Sequence, residues 1–208
     1  IGKPINISNS PGYDNQPSFT PDGATVLFTS VRGDRKPDPA NSAATGSDIY
    51  RYDIAPARLS QVTNTPEAEY SPTVTPDGRH ISVIRVEADG TQRLWRFTLE
   101  GTEPELVLRD VKPVGYHAWA DPSTLVLFVL GNQGQPATLQ VADTRTGRAE
   151  IAATGIGRSI QRAPRGGVSY VARSAAADGQ PPFLTISELD PATRQTRALV
   201  RVPAGAAI

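Results

Sequence analysis

Short apolar stretches alternate with turn-forming residues along the whole chain. A representative stretch is Thr25 to Ser30, which directly follows the turn residues Pro21, Asp22 and Gly23. The longest apolar run, Leu125 to Leu130, has the length of a single buried strand. No stretch places apolar residues at the helical spacing i, i+3, i+4 and i+7. The pattern therefore predicts an all-β chain with almost no helix.

One turn and its flanking strands recur along the chain. In the first copy, Pro21 presets the backbone for a turn, Asp22 can bond the local backbone, and Gly23 tolerates a left-handed exit. The segment from residue 13 to 23 returns at residues 69 to 78, and weaker copies follow near residues 120 and 163. The equivalent positions are separated by 55, 45 and 43 residues: Thr20, Thr75, Ala120 and Ala163.

A period of roughly 40–45 residues with four strands is typical of a β-propeller blade. The sequence thus predicts one propeller domain over residues 1–208 with four-stranded antiparallel blades at about 13–64, 69–110, 116–154 and 158–202. A Pro-, Asp- and Ala-rich loop at 32–47 explains the long first period. Residues 3–9 are similar to the end of the first blade, and they are predicted to form the leftover last strand of a further, split blade.

Composition excludes several classes of function. The chain has 21 basic and 21 acidic residues, so it lacks the basic excess of a nucleic-acid binder. It has no cysteine, which excludes disulfides and thiolate chemistry. No apolar run approaches the roughly 20 residues that a membrane span requires. We therefore expect neither a nucleic-acid partner nor a membrane-spanning segment.

The repeat resembles that of the TolB-like propellers. The matching segments are Gln16 to Gly23, Asp48 to Asp53 and Gln61 to Asn64, and they correspond to the family's Pro-Asp-Gly turn, its Asp-Ile-Tyr strand and its Leu-Thr-Asn strand end. The resemblance is strong in the first two repeats and weak in the last two. It implies a six-bladed ring, of which this chain holds four blades, and an exported or periplasmic protein of the TolB-like translocation type.

Strand A, the first strand of each blade, lines the central channel of a propeller. Residues immediately before strand A are therefore predicted to lie at the channel mouth, where they would bind a partner segment or a polar ligand. The alternative is that they satisfy one another and bind water between blades. The predicted binding residues are Asp14, Asn15, Gln16, Glu69, Tyr70, Tyr116, His117, Arg158 and Ser159.

Other chemistry has weaker support in the sequence. His117 is the best candidate for a ligand or base, although a histidine here also suits a structural anchor. Its distance from His80 does not suit zinc. Asp34, Asp38, Asn41 and Asp48 do not match the EF-hand spacing for calcium. There is no nucleophile elbow for a serine hydrolase, and only Asp14 with Glu69 offers a carboxylate pair for a glycosidase. We predict no metal and no cofactor.

The sequence is compatible with three functions. The first is a non-enzymatic binding platform of the cell envelope that presents its channel mouth or a face to a protein or peptide partner. The second is an enzyme, either a propeller-type polysaccharide lyase or the gate domain of a serine peptidase. The third is a propeller that binds a saccharide or another small polar ligand without chemistry. A fold alone does not separate them, because propellers carry many unrelated activities.

Overall fold

The computed structural model describes residues 2–32, 46–132, 134–174 and 182–203. All regular secondary structure in these residues is β-strand, arranged as four antiparallel sheets of four strands. Within each sheet the strands lie in chain order. The predicted all-β propeller fold with four-stranded blades is confirmed. A helix long and apolar enough to cross a membrane is absent from the same residues.

The chain divides into two compact units, Ile1–Val107 and Leu108–Ile208, and each contains two blades. In the N-terminal unit, blade 1 contains β1 (Asp14–Phe19), β2 (Thr25–Ser30), β3 (Asp48–Asp53) and β4 (Arg58–Gln61). Blade 2 contains β5 (Ala68–Val74), β6 (His80–Val86), β7 (Gln92–Thr98) and β8 (Glu105–Leu106).

The C-terminal unit repeats this arrangement. Blade 3 contains β9 (Val114–Trp119), β10 (Thr124–Val129), β11 (Thr138–Asp143) and β12 (Ala149–Thr154). Blade 4 contains β13 (Ile156–Arg162), β14 (Val168–Arg173), β15 (Leu184–Leu189) and β16 (Thr196–Arg201). The central strands agree closely with the apolar runs in the sequence, because a strand with neighbours on both edges and both faces needs a nearly continuous apolar run.

The core of the N-terminal unit lies between blades 1 and 2. It consists of buried Leu27 and Ile49 from blade 1 and Ile81, Val83 and Phe97 from blade 2. Alternate residues of β2 and β6 point to opposite faces of their sheets, so each blade offers one apolar face to the other. Burial of these side chains stabilises the contact between the two blades by the hydrophobic effect.

The core of the C-terminal unit lies between blades 3 and 4 in the same way. Val126 and Phe128 of β10 pack against Ile160, Tyr170 and other side chains of blade 4. The last strand of blade 4 differs from these buried positions, because all six residues of β16 are exposed. Within blade 4, apolar burial is therefore concentrated on the first three strands.

The repeated turn has the same hydrogen bonds in blades 1 and 2. The Thr20 hydroxyl donates to Asp22 Oδ1 (2.6 Å), and that oxygen also accepts the Ala24 N–H (3.0 Å). These bonds lower the pKa of Asp22, and the Thr20 hydroxyl contributes most. Gly23 has the left-handed φ of 68° that the sequence predicted. The equivalent bonds of blade 2 involve Thr75, Asp77 and Arg79, with the same lengths of 2.6 and 3.0 Å.

The third copy of the turn has similar hydrogen bonds from the backbone to an aspartate, but this aspartate lies at a different position in the turn. Asp121 Oδ1 accepts the N–H groups of Ser123 (2.8 Å) and Thr124 (2.9 Å). The motif is degraded in the sequence, because the aspartate lies one position earlier than in blades 1 and 2. A carboxylate nevertheless accepts backbone hydrogen bonds in the turn between strand A and strand B, the second strand of the blade, in three of the four blades.

Replacement of Gly23 or Gly78 by alanine should lower stability by about 1–2 kcal/mol at each site, because both glycines have φ near 70°. A Cβ atom at either position would contact nothing within 4 Å, so the cost is purely that of the left-handed backbone. The loss in the free energy of unfolding is measured by urea unfolding, with tryptophan fluorescence as the signal. Gly2→Ala is the control, since its Cβ also meets nothing and its φ is not left-handed. Equal stability of all three variants and the parent protein would contradict the turn assignment.

One strand predicted from the sequence is not formed among the described residues, although its place in a split blade stays a prediction. Residues 3–9 form no strand, and Ile5 is 80% exposed. The segment instead folds back on itself, with Asn6 Oδ1 accepting the N–H of Asn9 (2.9 Å). Its apolar and polar alternation matched that of a last strand, but a last strand needs the third strand of its own blade as a partner. No such strand is found among the described residues.

Candidate functional site

The nine predicted binding residues lie inside strand A of each blade rather than in front of it. Strand A starts earlier than the apolar pattern indicated, because the polar residues at its beginning also pair with strand B. Asp14 lies opposite Ser30, and Asn15 lies opposite Thr29. The prediction that these residues precede the strand is therefore corrected: Asp14, Asn15 and Gln16 belong to β1, Glu69 and Tyr70 to β5, Tyr116 and His117 to β9, and Arg158 and Ser159 to β13.

Gln16 connects the two blades of the N-terminal unit. Its Oε1 accepts the Thr29 hydroxyl (3.2 Å) within blade 1 and the Ser71 N–H (3.0 Å) of blade 2. Gln16 and Ser71 occupy equivalent positions, and each has a φ of 54° at a bulge in its strand. A bulge redirects a side chain out of the regular alternation of a strand. In blade 1 the bulge turns Gln16 toward blade 2, which gives this residue a structural role.

Asp14 is held by neighbours within its own blade. Its Oδ1 accepts the Ser30 hydroxyl (2.6 Å) and lies 3.6 Å from a terminal nitrogen of Arg32. The Arg32 guanidinium also lies over the ring of Tyr50, 4.8 Å from its centre. Asp14 keeps some solvent exposure, whereas Asn15 is exposed and donates to the Tyr13 hydroxyl (3.0 Å). This end of β1 thus presents polar groups that are already oriented by hydrogen bonds.

Glu69 is fully buried in a polar network. Its carboxylate accepts hydrogen bonds from the hydroxyls of Thr65 and Thr63, the latter at 3.2 Å. The Arg85 guanidinium lies 3.3 Å from Glu69 Oε1 and forms a second ion pair with Glu67 (2.7 Å). A buried carboxylate requires such partners, because an unpaired charge in the protein interior is very costly.

Burial nevertheless dominates the ionisation of Glu69 and raises its pKa to about 7. Desolvation disfavours the carboxylate, and the nearby charge of Asp48 adds to the effect. The hydroxyl of Thr65 and the charge of Arg85 act in the opposite direction and only partly compensate. Glu69 therefore changes its charge near neutral pH.

In the C-terminal unit, His117 is also buried and is only 7% exposed. Burial lowers the pKa of His117 to about 4, so the imidazole is neutral at neutral pH. Its neighbour Tyr116 packs edge-on against Phe128, with 5.9 Å between the ring centres. Arg158 and Ser159, by contrast, are exposed in a bulge of β13. This unit offers a buried neutral base and an exposed cation on its two A strands.

The structure brings the predicted residues together in two sets. Strands β1 and β5 lie beside each other in the N-terminal unit, as do β9 and β13 in the C-terminal unit. That all nine line one channel mouth stays a prediction. Sequence reasoning missed three partners of Glu69: Thr63, Thr65 and Arg85. Arg85 left one detectable signal, since it is a lone charge in the otherwise apolar second half of β6.

The residues considered for calcium fall into two groups. Asp34, Asp38 and Asn41 lie outside the described residues. Asp48 belongs to β3, where Oδ2 accepts from Gln61 Nε2 (3.0 Å) and Oδ1 accepts the Thr65 N–H (3.3 Å). Among the residues that the structure describes, no group of three or more histidine, cysteine, aspartate or glutamate side chains could hold a metal ion.

Comparison with known proteins shows similarity in structure but not in sequence. No protein-family profile matches the chain, and no curated protein matches it by sequence. TolB from Acinetobacter baumannii is similar with a TM-score of 0.71 and 20% identity, over 91% of this chain and 44% of that one. A putative TolB from Agrobacterium tumefaciens is similar with a TM-score of 0.70 and 18% identity, over 93% of this chain and 64% of that one.

An enzyme shares the same architecture. An oligogalacturonate lyase in complex with manganese is similar with a TM-score of 0.66 and 18% identity, over 95% of this chain and 56% of that one. The chain thus spans between 44% and 64% of the length of these three structures. At this level of identity the similarity defines the fold alone. The chain has a TolB-like β-propeller fold.

Proposed function

We propose that this chain belongs to a non-enzymatic, TolB-like binding platform of the bacterial cell envelope, exported or periplasmic, that binds a protein partner through its strand A region. The fold similarity to two TolB structures supports this assignment. The partner would contact either the polar ends of the A strands or the adjoining open face of blade 1. Blade 1 provides the observation that carries the proposal.

Two aromatic side chains at the ends of β1 are exposed. Tyr13, just before the strand, is 45% exposed, and Phe19, its last residue, is 65% exposed. Their equivalents in blade 2 are Ala68, which is fully buried, and Val74, which packs against the core between blades 1 and 2. The face that blade 2 uses as an interface is therefore partly open in blade 1. Exposed aromatic residues with polar neighbours are typical of protein interfaces.

The environment of the titratable A-strand residues supports binding rather than catalysis. Glu69 is enclosed by hydroxyls and by Arg85, so its oxygens already have partners. His117 is buried and neutral. Of the nine predicted binding residues, the exposed ones are Asn15, Arg158 and Ser159, which carry an amide, a guanidinium and a hydroxyl. These groups suit recognition by hydrogen bonds better than acid–base chemistry, which needs an accessible group that titrates near the working pH.

Site-specific photo-crosslinking in the cells that naturally produce the protein tests this proposal. A photoreactive phenylalanine analogue at Phe19 should give one discrete crosslinked protein. The same analogue at the exposed turn residue Arg79 is the control and should not give that product. The Phe19→Asp variant should lose the partner in co-purification while its unfolding curve stays close to that of the parent protein.

The enzyme alternatives predict turnover of a substrate by the purified protein. Turnover of oligogalacturonate or of an aminoacyl amide by the purified protein, abolished by Glu69→Gln or His117→Gln in a folded variant, would overturn the proposal. Identical crosslinking at Phe19 and Arg79 would also contradict it. The two assays are independent of each other, since the first measures chemistry and the second measures contact.

A further inference from the structure

The N-terminal unit has a cleft of about 330 Å³ between its two blades, at the end where the Pro-Asp-Gly turns lie. Its volume is at the lower end of the range for small-molecule sites, roughly 300–1,000 Å³. Blade 1 contributes Thr20, Pro21, Asp22, Thr25, Leu27 and Arg51. Blade 2 contributes Val74, Gly78, Ile81 and Leu99. None of these residues is among the nine predicted binding residues, and only Val74, the last residue of β5, belongs to an A strand.

The floor of the cleft is apolar. Leu27 and Ile81 are each only 2% exposed and belong to the core between the blades. Val74 and Leu99 are half-buried and pack against the same core. An aliphatic side chain placed on this floor would extend the existing core and would be stabilised by the hydrophobic effect. The floor alone therefore selects a ligand with one apolar group of limited size.

Two opposite charges lie among the lining residues. The Asp22 carboxylate uses Oδ1 for its turn bonds, and the residue is exposed. Arg51 donates from Nε to Asp53 Oδ1 (2.6 Å), and its side chain is 40% exposed. Asp22 and Arg51 both line the cleft, and the charge of Arg51 makes a small contribution to lowering the pKa of Asp22. None of the ion pairs between described residues joins them directly.

We propose that this cleft binds a free α-amino acid with an aliphatic side chain. The ammonium group would pair with Asp22, the carboxylate would pair with the terminal nitrogens of Arg51, and the side chain would contact Leu27 and Ile81. A zwitterion satisfies both charges at once, and charge-assisted hydrogen bonds are the stronger kind. A peptide carboxyl terminus would match only Arg51, and an amine would match only Asp22, so each would use just one of the two charged groups.

Calorimetric titration of the whole chain with four small probes tests the ligand chemistry. L-Leucine should bind, with a reproducible heat that saturates. N-acetyl-L-leucine lacks the ammonium group and L-leucinamide lacks the carboxylate, so each should bind about tenfold more weakly or worse. L-Serine keeps both charges but lacks the apolar group, and it should bind weakly for that reason. Equal binding of all four probes would overturn the proposal.

Two variants with matched controls test the site itself. Asp22→Asn retains an oxygen that can accept the turn bonds but removes the charge. Its control is Asp77→Asn, in the equivalent turn of blade 2, because Asp77 has the same bonds and does not line the cleft. Arg51→Gln removes the guanidinium. Its control is Arg58→Gln, because Arg58 also pairs with Asp53 (3.1 Å) and likewise does not line the cleft.

L-Leucine should bind about tenfold more weakly to Asp22→Asn and to Arg51→Gln than to their controls. Urea unfolding should show that each variant and its control lose similar stability, which separates an effect on binding from an effect on folding. The proposal is overturned if L-leucine does not bind the parent protein at about 10 mM. The binding free energy would then be weaker than about 3 kcal/mol. Equal weakening in a variant and its control would also overturn it, because the effect would then come from the fold.

Discussion

The stability of the N-terminal unit should fall as the pH rises from 4.5 to 7, because of Glu69. The pKa of Glu69 is about 7 in the folded protein and 4.5 without the fold. Between these values the folded state holds one proton that the unfolded state has lost, so a rise in pH favours unfolding. The full effect is about 3 kcal/mol, and it is complete once the pH exceeds 7.

Urea unfolding at a series of pH values measures this effect. Trp119→Phe leaves Trp95, in blade 2, as the reporter of the N-terminal unit. In this background Glu69→Gln should remove the fall in stability between pH 4.5 and 7, since glutamine has no proton to lose. Glu105→Gln is the control, because Glu105 is an exposed carboxylate paired with Arg96 (2.6 Å). An unchanged pH profile in Glu69→Gln would show that Glu69 is ionised throughout this range.

The C-terminal unit should show the opposite dependence, with stability lost as the pH falls from 6.5 to 4. His117 has a pKa of about 4 when folded and 6.5 without the fold. Within this window the unfolded state binds a proton that the buried imidazole does not accept, so a lower pH favours unfolding. The total is about 3 kcal/mol, and above pH 6.5 the group contributes no further slope.

Trp119 reports on this unit once Trp95 is replaced by phenylalanine. His117→Gln should flatten the pH profile between 4 and 6.5, although the variant can be less stable at every pH because the site is tightly packed. The diagnostic quantity is therefore the slope and not the absolute stability. His80→Gln, which alters the half-buried histidine of the other unit, should leave the slope reported by Trp119 unchanged. A slope that survives His117→Gln would mean that another group titrates.

The strands and turns of this structure could be predicted from the sequence, because they depend on residues that are close together in the chain. The apolar run of β2 and the glycine at position 23 specify a strand and a left-handed turn wherever they occur. The repeat then fixed the number of blades. The segment at residues 3–9 shows the limit of local reasoning, since a strand also needs a partner to bond with.

The environment of the site residues was not predictable in the same way. The sequence pattern predicts Glu69 and His117 at a wet channel mouth, because both are polar and near the start of strand A, yet both are buried. Burial of a polar residue depends on partners far away in the sequence, such as Arg85 for Glu69. The cleft near Asp22 has the same origin, since its floor joins residues from two blades. Periodicity contains no information on such pairings.

The exposed last strand of blade 4 has a consequence for how the protein behaves in solution. β16 is an edge strand with Leu199 and Val200 about half exposed, and it carries Arg197 and Arg201. Open edges of this kind template aggregation, and like charges on an edge oppose it. Salt shortens the range of that repulsion to about 8 Å at physiological ionic strength. Concentrated salt therefore weakens the repulsion between two such edges and favours their association.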